Sequence, residues 1–475
     1  MKPLWRAEDA LAAMGARIAG LMPAGLGEAS IDSRGLQAGD LFFAITGENR
    51  DGHEFVPAAF ERGAAACVVT DARAAEFAGK GALFVVEDAL KALELLGRAA
   101  RGRTKARIAA VTGSVGKTST KEMLRHALEP QGRTHASIAS YNNHWGVPLT
   151  LARMPETTAF GVFEVGMNHS FEILPLTDMV RPHAALITTV EPVHLAQFPS
   201  VAAIADAKGE IFSGLEPGGT AILNRDTPHY ERLLAHARAS RAGGVISFGE
   251  HQAADVRLAR FAPKPDKSCI EAHVFGQKFN YCLGSPGKHM ALNSLGVIAA
   301  VKALGGDVAL AGLALRDFAP PAGRGQRSQR LIGHGELTLA DESYNANPAS
   351  MRAAIDLLGQ IPLSAGGRRI AVLGDMLELG AEGAHFHAGL IGPVDSDAVD
   401  LVFACGPLMR SLWEKVPAAK RGAYARDSAE LEGEVLEALR PGDAVMVKGS
   451  LGSKMGRIVT AIKSRFPEKP AQAVN

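Results

Sequence analysis

The sequence predicts an α/β protein built from three domains: a small N-terminal domain (residues 1–86), a central domain with a parallel sheet (87–322) and a C-terminal domain (323–475). Short apolar runs alternate with helical or turn-rich segments, the pattern of parallel sheets covered by helices. The chain of 475 residues is long enough for several domains, and its 52 glycines and 47% hydrophobic content are typical of many tight strand–helix turns.

The first two domains divide at a predicted helix. Two strands, Asp40–Ile45 and Ala65–Thr70, are predicted in the small α/β N-terminal domain, and Asp88–Arg101 has apolar residues at helical spacing. The apolar runs that predict the central parallel sheet are Ile108–Thr112, Phe160–Val165, Ala184–Val190, Thr220–Asn224 and Gly243–Gly249.

A third unit begins after Phe318–Arg327, "FAPPAGRGQR", which is rich in Pro and Gly and predicts a hinge. Beyond it the alternation restarts and predicts a Rossmann-like α/β domain. Its strands are expected at Leu337–Glu342, Arg369–Asp375, Asp400–Gly406 and Asp443–Ser450. The last ten residues, 466–475, are expected to form a frayed tail.

Composition excludes several classes of protein. Lys and Arg total 51 against 50 Asp and Glu, so no surplus of positive charge indicates a nucleic-acid partner. The four cysteines form no C-x-x-C pair, which predicts free core thiols in a reducing compartment. Glu8 and Asp9 interrupt the N-terminus where a signal peptide needs an apolar run, and no apolar stretch reaches the ~18 residues of a membrane span. We therefore expect a soluble cytoplasmic protein without membrane insertion.

The stretch "VTGSVGKTST" predicts a phosphate-binding loop (P-loop), although Val111 stands where the usual Walker spacing has glycine. The loop follows a buried strand and opens a helix, whose N-terminus attracts anions. Lys117 can reach the outer phosphates of ATP, and the Thr118 hydroxyl can ligate Mg²⁺. The alternative is a glycine-rich turn without a ligand. The residues predicted to line the nucleotide are Gly113, Ser114, Val115, Gly116, Lys117, Thr118 and Ser119.

Polar residues follow two further predicted strands. Glu164 ends one strand and His194 follows another, so both are expected at the sheet edge where α/β proteins bind ligands. A carboxylate beside a P-loop is a natural magnesium ligand. Lys208 lies nearby in the chain. Read singly, these residues could be a buried ion-pair partner, a loop histidine and a solvated lysine.

Several sequence blocks stand in a recognisable order along almost the whole chain: "TGSVGKT", "FEVGMNHSFEI", "AKGEIFSGL", "NRD", "DESYNANPASM", "VLGDMLELG" and "GDAVMVKGSLGSKM". Together they resemble the ATP-dependent Mur ligases of peptidoglycan synthesis. The resemblance also explains Val111, since the loop of this family lacks the first Walker glycine. It is strongest to members of the family that join D-alanyl-D-alanine to UDP-N-acetylmuramoyl-tripeptide through an acyl phosphate, and it implies that activity here.

This resemblance implies roles for individual residues. One Mg²⁺ is expected at Thr118 and Glu164, and a second at His194 and a carbamylated Lys208. Lys117, Glu164, His194, Lys208 and Arg324 are the expected catalytic residues. The further nucleotide contacts that the resemblance implies are Asn293, Arg324, Asp341, Tyr344 and Asn345. The implied contacts to the UDP-substrate are Ser33, Arg34, Asn142 and Asn143, of which the asparagines could equally cap a helix or a turn.

Other functions remain open at this stage. The general base for the amine is unassigned, with His194 and His387 as candidates. A related ligase, such as the enzyme adding the third peptide residue or a folylpolyglutamate synthetase, is the nearest alternative, although a D-N-P-R motif does not appear where "DMLELG" stands. A P-loop NTPase or kinase without ligation, and a non-catalytic nucleotide-binding module, are the other classes. We expect a monomer.

Overall fold

The computed structural model describes residues 3–47, 50–138, 140–193 and 195–470. It contains three α/β units, each with its own sheet, and so confirms the predicted fold class. The sheets are formed within residues 17–86, 107–283 and 326–448. The proposed domain limits after residues 86 and 322 fall between them. No helix of the described part of the chain is long and apolar enough to span a membrane.

The N-terminal sheet has the strand order β1–β5–β4–β3–β2 and is parallel except between β1 and β5. Asp88 caps α3, because its carboxylate accepts hydrogen bonds from the first-turn N–H groups of Leu90 and Lys91. The strands are β1 (Arg17–Ala19), β2 (Ala29–Ser30), β3 (Leu41–Phe43), β4 (Ala66–Thr70) and β5 (Leu83–Val86). The helices are α1 (Ala7–Met14), α2 (Val56–Glu61) and α3 (Ala89–Arg103).

The central sheet has nine strands in the order β14–β13–β12–β11–β10–β9–β6–β8–β7. Its strands are β6 (Arg107–Thr112), β7 (Thr134–Ala136), β8 (Phe160–Glu164), β9 (Ala184–Ile187), β10 (Thr220–Asn224), β11 (Gly244–Gly249), β12 (Val256–Pro263), β13 (Ser268–Val274) and β14 (Gln277–Leu283). Its helices are α4 (Lys117–Leu128), α5 (Gly146–Ala152), α6 (Ile173–Val180), α7 (Val201–Gly209), α8 (Tyr230–Ala239), α9 (Lys288–Ala303) and α10 (Val308–Leu315).

Both faces of this sheet are buried, which explains the unbroken apolar runs in the sequence. Along β6, Ile108 and Ala110 belong to one core cluster, whereas Ala109 and Val111 belong to the cluster on the other face. Val111 is therefore a core residue of the strand, and the glycine-rich turn starts only after Thr112. The parallel part of the sheet runs from β7 to β12.

An antiparallel extension of the central sheet was not predicted. Strands β12, β13 and β14 pair antiparallel at one edge. The loop between β13 and β14 consists of Phe275 and Gly276, both with positive φ (50° and 81°), as a tight two-residue hairpin turn requires. Strands β12, β13 and β14 were missed because their mixed polar and apolar sequence lacks the continuous apolar run that marks the parallel strands.

The C-terminal sheet has the order β15–β16–β20–β17–β18–β19 and is parallel except between β15 and β16. The strands are β15 (Gln326–Ile332), β16 (Gly335–Glu342), β17 (Arg369–Gly374), β18 (Leu401–Cys405), β19 (Arg421–Ala425) and β20 (Ala444–Lys448). The helices are α11 (Pro348–Gly359), α12 (Gly383–Ala388), α13 (Ile391–Val394), α14 (Arg410–Trp413), α15 (Ser428–Ala438) and α16 (Gly456–Arg465).

The expectation of a frayed tail over residues 466–475 is wrong for its first part. Phe466 is buried, and the Lys469 N–H donates to the Gln329 carbonyl at 2.9 Å, so this segment pairs with β15. The backbone groups gain partners and Phe466 gains a place in the core, which outweighs the cost of ordering the chain. Residues 471–475 lie outside the described part of the chain.

The N-terminal domain is fixed to the central domain through α3 and α5. Leu149 and Ala152 of α5 belong to the N-terminal core, and the Trp5 indole N–H donates to the Ala152 carbonyl at 2.9 Å. A Cβ at Gly97 would lie 3.0 Å from the Pro148 carbonyl oxygen, so the two helices approach closely there. This packing holds the N-terminal domain beside the loop that precedes α5.

Candidate active site

The P-loop is a tight turn that needs glycine at two positions. Gly113 and Gly116 have φ of 151° and 81°. A Cβ at Gly113 would lie 1.9 Å from Thr188 Oγ1, and one at Gly116 would lie 2.5 Å from Asn293 Nδ2. The loop therefore packs against the end of β9 and against α9, and the N-terminus of α4 faces the cavity.

Lys117 is the first residue of α4, and its ammonium turns back over the loop. Its Nζ donates to the Gly113 carbonyl at 2.8 Å. Burial lowers the pKa of Lys117; the Glu164 carboxylate opposes this effect, and the nearby Arg324 adds to it. Lys117 is thus a partly buried cation with a neutral hydrogen-bond partner, placed where an anion would lie at the helix N-terminus.

Thr118, Glu164 and Asn142 form a hydrogen-bonded cluster beside the loop. The Thr118 hydroxyl donates to Glu164 Oε2 at 2.7 Å, and the Asn142 amide donates to Glu164 Oε1 at 2.7 Å. Glu164 is 1% exposed and ends β8, at the carboxyl edge of the parallel sheet as the sequence predicted. Each carboxylate oxygen is thus oriented by a separate donor.

The oxygen donors of Thr118 and Glu164 fit a magnesium ion. Mg²⁺ usually takes only one or two protein ligands and completes its octahedron with phosphate oxygens and water. Among the described residues no group of three or more His, Cys, Asp or Glu side chains could hold a metal by itself. The protein side of the site therefore suits a metal that arrives with the nucleotide.

The C-terminal domain completes the site. Arg324 Nη2 donates to the Ser140 hydroxyl of the central domain at 3.0 Å, and its guanidinium lies 4.1 Å from the ring centroid of Tyr344. Lys448, at the end of β20, is 3% exposed, and its Nζ donates to the Asn345 carbonyl at 3.0 Å. Two cations of the C-terminal domain thereby lie opposite the P-loop.

One cavity of about 920 Å³ connects these groups. Both the central and the C-terminal domains contribute to its wall. The predicted site residues that line it are Ser114, Val115, Gly116, Lys117, Thr118, Ser119, Asn142, Asn143, Glu164, Asn293, Arg324, Tyr344 and Asn345.

Lys208 lies behind the cavity. It is 2% exposed on α7, and among the described residues no hydrogen bond or ion pair satisfies its ammonium. Burial, and then the nearby Lys117, hold its pKa well below the ordinary lysine value. His194, the expected partner of Lys208 at a second metal site, lies outside the described residues.

Other predicted residues have local structural partners. Asn143 lines the cavity, but its Oδ1 accepts the Gly146 N–H at 3.0 Å and so caps the start of α5. Asp341 does not line the cavity, and its carboxylate accepts the Ser343 hydroxyl at 2.6 Å and lies 3.5 Å from Lys463. Its contact with the nucleotide stays a prediction.

Ser33 and Arg34 lie in the N-terminal domain, away from the main cavity. Arg34 is exposed and pairs with Asp32 at 2.7 Å; that hydrogen bond raises the pKa of Arg34, and the nearby Tyr141 adds to the effect. The arginine therefore lies beside the loop that carries Asn142 and Asn143.

His387 is a structural residue. Its Nε2 accepts the Met376 N–H at 2.9 Å and its Nδ1 bonds the Gly383 carbonyl at 2.6 Å, so both ring nitrogens are engaged. It is 0% exposed, and burial lowers its pKa. With no free nitrogen facing the cavity, His387 does not qualify as the base for the amine.

Sequence reasoning missed several residues of the site. Ser140 connects Thr118 to Arg324, and Lys448 faces the P-loop from the last strand. Phe171 lines the cavity with a 72% exposed ring and a positive φ of 69°. Lys448 ends β20 inside a predicted strand, and Phe171 lies in the quoted block "FEVGMNHSFEI", so both positions carried an available signal.

Comparison with known families agrees with this geometry. The Mur ligase family catalytic domain matches residues 28–104, the Mur ligase middle domain matches 111–301, and the glutamate ligase domain of Mur ligases matches 326–451. The first model ends close to the end of α3, and the second begins at the P-loop strand.

Individual relatives match over nearly the whole chain. The UDP-N-acetylmuramoyl-tripeptide–D-alanyl-D-alanine ligase of Bacillus subtilis is 33% identical over 90% of this chain and 91% of its own. The protein of the same name from Escherichia coli is 31% identical over 91% of this chain and 92% of its own. A crystal structure of MurF from Acinetobacter baumannii superposes with a TM-score of 0.82, at 27% identity and with 97% and 99% of the two chains covered. The chain therefore belongs to the Mur ligase family and is an ATP-dependent, ADP-forming ligase.

Proposed function

We propose that this protein joins D-alanyl-D-alanine to UDP-N-acetylmuramoyl-tripeptide, using ATP, in the cytoplasmic synthesis of peptidoglycan precursors. One observation carries the proposal: a single cavity is lined by the P-loop, by the Thr118–Glu164 pair and by Arg324 and Lys448 of the C-terminal domain. We infer that a triphosphate and a substrate carboxylate lie in this cavity between Lys117 on one side and Arg324 and Lys448 on the other. The full-length likeness to ligases of this name supports the choice of substrates.

The nucleotide is proposed to lie with its phosphates on the N-terminus of α4. Lys117 lies at the outer phosphates, where its ammonium would exchange the Gly113 carbonyl for phosphate oxygens. Asn293 touches the loop at Gly116, and Tyr344 and Asn345 line the cavity from the C-terminal domain, so these residues are proposed to hold the nucleoside. Arg324 lies over one face of the Tyr344 ring, and the other face is proposed to stack on the adenine.

The reaction joins two anions before it forms an amide. The terminal carboxylate of the tripeptide attacks the γ-phosphorus of ATP, the bond to the β-phosphate oxygen breaks, and ADP and an acyl phosphate result. The neutral amine of D-alanyl-D-alanine then attacks the acyl carbon, inorganic phosphate leaves, and the amine loses a proton. Lys117 and Arg324 offset the negative charge of the first step and align the phosphoryl group. The walls of the cavity keep water from the acyl phosphate.

Magnesium, when bound, adds further charge neutralisation at the phosphates. Thr118 and Glu164 are the residues proposed to hold it, because both present oxygen donors at the P-loop. Lys208 as an ammonium cannot ligate a cation. We propose that it reacts with CO₂ to form a carbamate, which requires a buried lysine with no competing partner, and Lys208 is buried and has none within the described part of the chain. The carbamate and His194 would then supply ligands to a second ion.

The carbamate proposal has its own test. Lys208→Ala is expected to lose activity and to regain part of it with added short carboxylic acids, which would replace the carbamate oxygens. A Lys208→Arg variant keeps the charge but cannot form the carbamate, so it serves as the matched control without rescue. Full activity of the alanine variant without added acid would refute the role of Lys208.

One assay tests the function as a whole. The protein is incubated with ATP, Mg²⁺, UDP-N-acetylmuramoyl-tripeptide and D-alanyl-D-alanine, and the product is identified by mass spectrometry. We expect the pentapeptide and ADP together, and neither when any component is omitted. ADP without the amide would indicate an NTPase or kinase, binding without turnover a nucleotide-binding module, and turnover with another amino acid a related ligase. The expected monomer is tested by light scattering after size-exclusion chromatography.

A further inference from the structure

Cys269 and Cys282 face each other across the β13–β14 hairpin, far along the central sheet from the P-loop. The two residues are direct partners in the register, and they form the sixth pair counted from the turn at Phe275 and Gly276. In a hairpin closed by a two-residue turn the first pair is hydrogen-bonded and the pairs then alternate. The cysteines therefore occupy a non-hydrogen-bonded pair, where cross-strand side chains approach most closely.

The two sulfurs are already in contact. Cys269 Sγ and Cys282 Sγ lie 2.9 Å apart. Facing residues of a non-hydrogen-bonded pair have Cα atoms about 4.5 Å apart, inside the range that a disulfide spans. Bond formation therefore needs a small side-chain rotation and no change of strand register.

The pair is also accessible, unlike the other cysteines. Cys269 and Cys282 are partly exposed, whereas Cys67 and Cys405 are buried. Burial raises the pKa of both buried thiols to about 12, so they are unreactive near neutral pH. The expectation that all four cysteines are core thiols is thus wrong for the hairpin pair.

The pair lies in a basic groove. A surface groove of about 710 Å³ runs between the hairpin and α10 and is lined by both cysteines together with Arg260, Lys264 and Arg316. Glu271 is the acidic residue among its lining side chains. A small anionic reactant is therefore attracted to the sulfurs. The hydrogen bond between the two sulfurs raises the pKa of the Cys282 thiol, and Lys264 and Lys267 oppose that effect.

We propose that Cys269 and Cys282 form a thiol modification site, which closes to an intramolecular disulfide by exchange with small anionic disulfides. In the first step the thiolate of one cysteine attacks a sulfur of the small disulfide, whose S–S bond breaks and releases one small thiol. In the second step the other cysteine attacks the protein sulfur of this mixed disulfide and releases the second small thiol. Two cysteine thiols are oxidised, one small disulfide is reduced, and the two cysteine protons pass to the released thiols.

The experiment incubates the folded full-length protein with glutathione disulfide and glutathione at a series of ratios. Remaining thiols are alkylated under denaturing conditions, and peptides are analysed by mass spectrometry. We expect a linked peptide pair containing Cys269 and Cys282, lighter by two hydrogen atoms than its thiol form, with Cys67 and Cys405 fully alkylated. Four alkylated cysteines at every ratio would overturn the proposal, as would a mixed disulfide that accumulates without closing.

Two serine variants serve as matched controls. Cys269→Ser and Cys282→Ser each leave one reactive sulfur, so each is expected to stop at the mixed glutathione disulfide. Ligase activity of the reduced variants is expected to equal that of the wild type, which also shows that they fold. Loss of two thiols from either variant would mean that another cysteine is the partner, and the proposal would be wrong.

Discussion

Replacing Lys117 separates the effect of its buried charge on protein stability from its effect on the reaction rate. Its ammonium donates a hydrogen bond to the Gly113 carbonyl, and burial disfavours its charge. Loss of that bond costs about 1 kcal/mol, and removal of the desolvation penalty offsets it. We therefore expect Lys117→Met to change the free energy of unfolding by less than about 1 kcal/mol.

The same substitution is expected to be severe in the reaction. Lys117 would contact the phosphoryl group that gains charge as the carboxylate attacks. Loss of a preorganised donor of this kind lowers kcat by about 10³-fold, or about 4 kcal/mol of transition-state stabilisation. Ligation rates are measured by release of ADP with confirmation of the pentapeptide, and stability by urea unfolding without ligands.

Lys121 provides the matched control one helical turn further along α4. It is 0% exposed, pairs with Glu122 and donates to the Ser137 carbonyl at 2.7 Å, and it does not line the cavity. Lys121→Met leaves buried acceptors unsatisfied, so we expect a loss of about 2 to 3 kcal/mol of stability. The variant should nevertheless keep near wild-type kcat when folded. An active Lys117→Met, or one as unstable as Lys121→Met, would refute the reasoning.

Four further predictions follow from particular contacts. Glu164→Gln is expected to lower kcat/KM by about 10²-fold and to raise the Mg²⁺ concentration needed for half-maximal rate, measured by metal titration at fixed ATP. Because Phe171 has a positive φ, Phe171→Gly is expected to be more stable than Phe171→Ala by about 1 kcal/mol, while both raise KM for the UDP-substrate; equal stabilities would argue against backbone strain. His183 accepts the Ile108 N–H at 3.0 Å, and burial lowers its pKa to about 4. Neutral His183 therefore contributes about 3 kcal/mol to the free energy of unfolding at any pH above the unfolded pKa near 6.5, and this contribution is lost as the pH falls towards 4. In urea titrations at a series of pH values, His183→Asn should lack this pH dependence. Finally, X-ray scattering should show compaction on adding an ATP analogue with the UDP-substrate, because closure about residues 318–327 brings Arg324 to the phosphates; adenosine, which lacks phosphates, should give none.

The parallel strands were predictable because each is buried on both faces. The run Thr220–Asn224 matches β10 residue for residue, and Phe160–Val165 differs from β8 only at its last residue. Glu164 could be placed for the same reason, since a carboxylate that closes a fully buried strand must lie at the sheet edge. Local sequence therefore determined both the strand and the location of its functional side chain.

Contacts between residues of different strands, helices or domains could not be predicted in this way. Ser140 and Arg324 are separated by 184 positions in the chain, and their hydrogen bond exists only because two domains meet. The Cys269–Cys282 contact depends on the register of one hairpin, and a shift by a single residue would place the two sulfurs on opposite faces. His387 shows the opposite case, where a suggestive residue proved to be satisfied by two backbone groups.

The electrostatics of the site give a physical reason for its division between two domains. The cations that line the cavity at the P-loop are Lys117, Arg324 and Lys448. Burial lowers the pKa of both Lys117 and Lys448, and the nearby Arg324 lowers both further, while the opposing carboxylates are Glu164 and Glu342. Such mutual repulsion costs free energy whenever the domains are closed without a ligand. We expect a triphosphate and a peptide carboxylate to relieve that repulsion, so that the closed arrangement is most stable when both substrates are present. On this reasoning, opening of the cleft would separate Arg324 and Lys448 from Lys117 and so ease the release of ADP and phosphate.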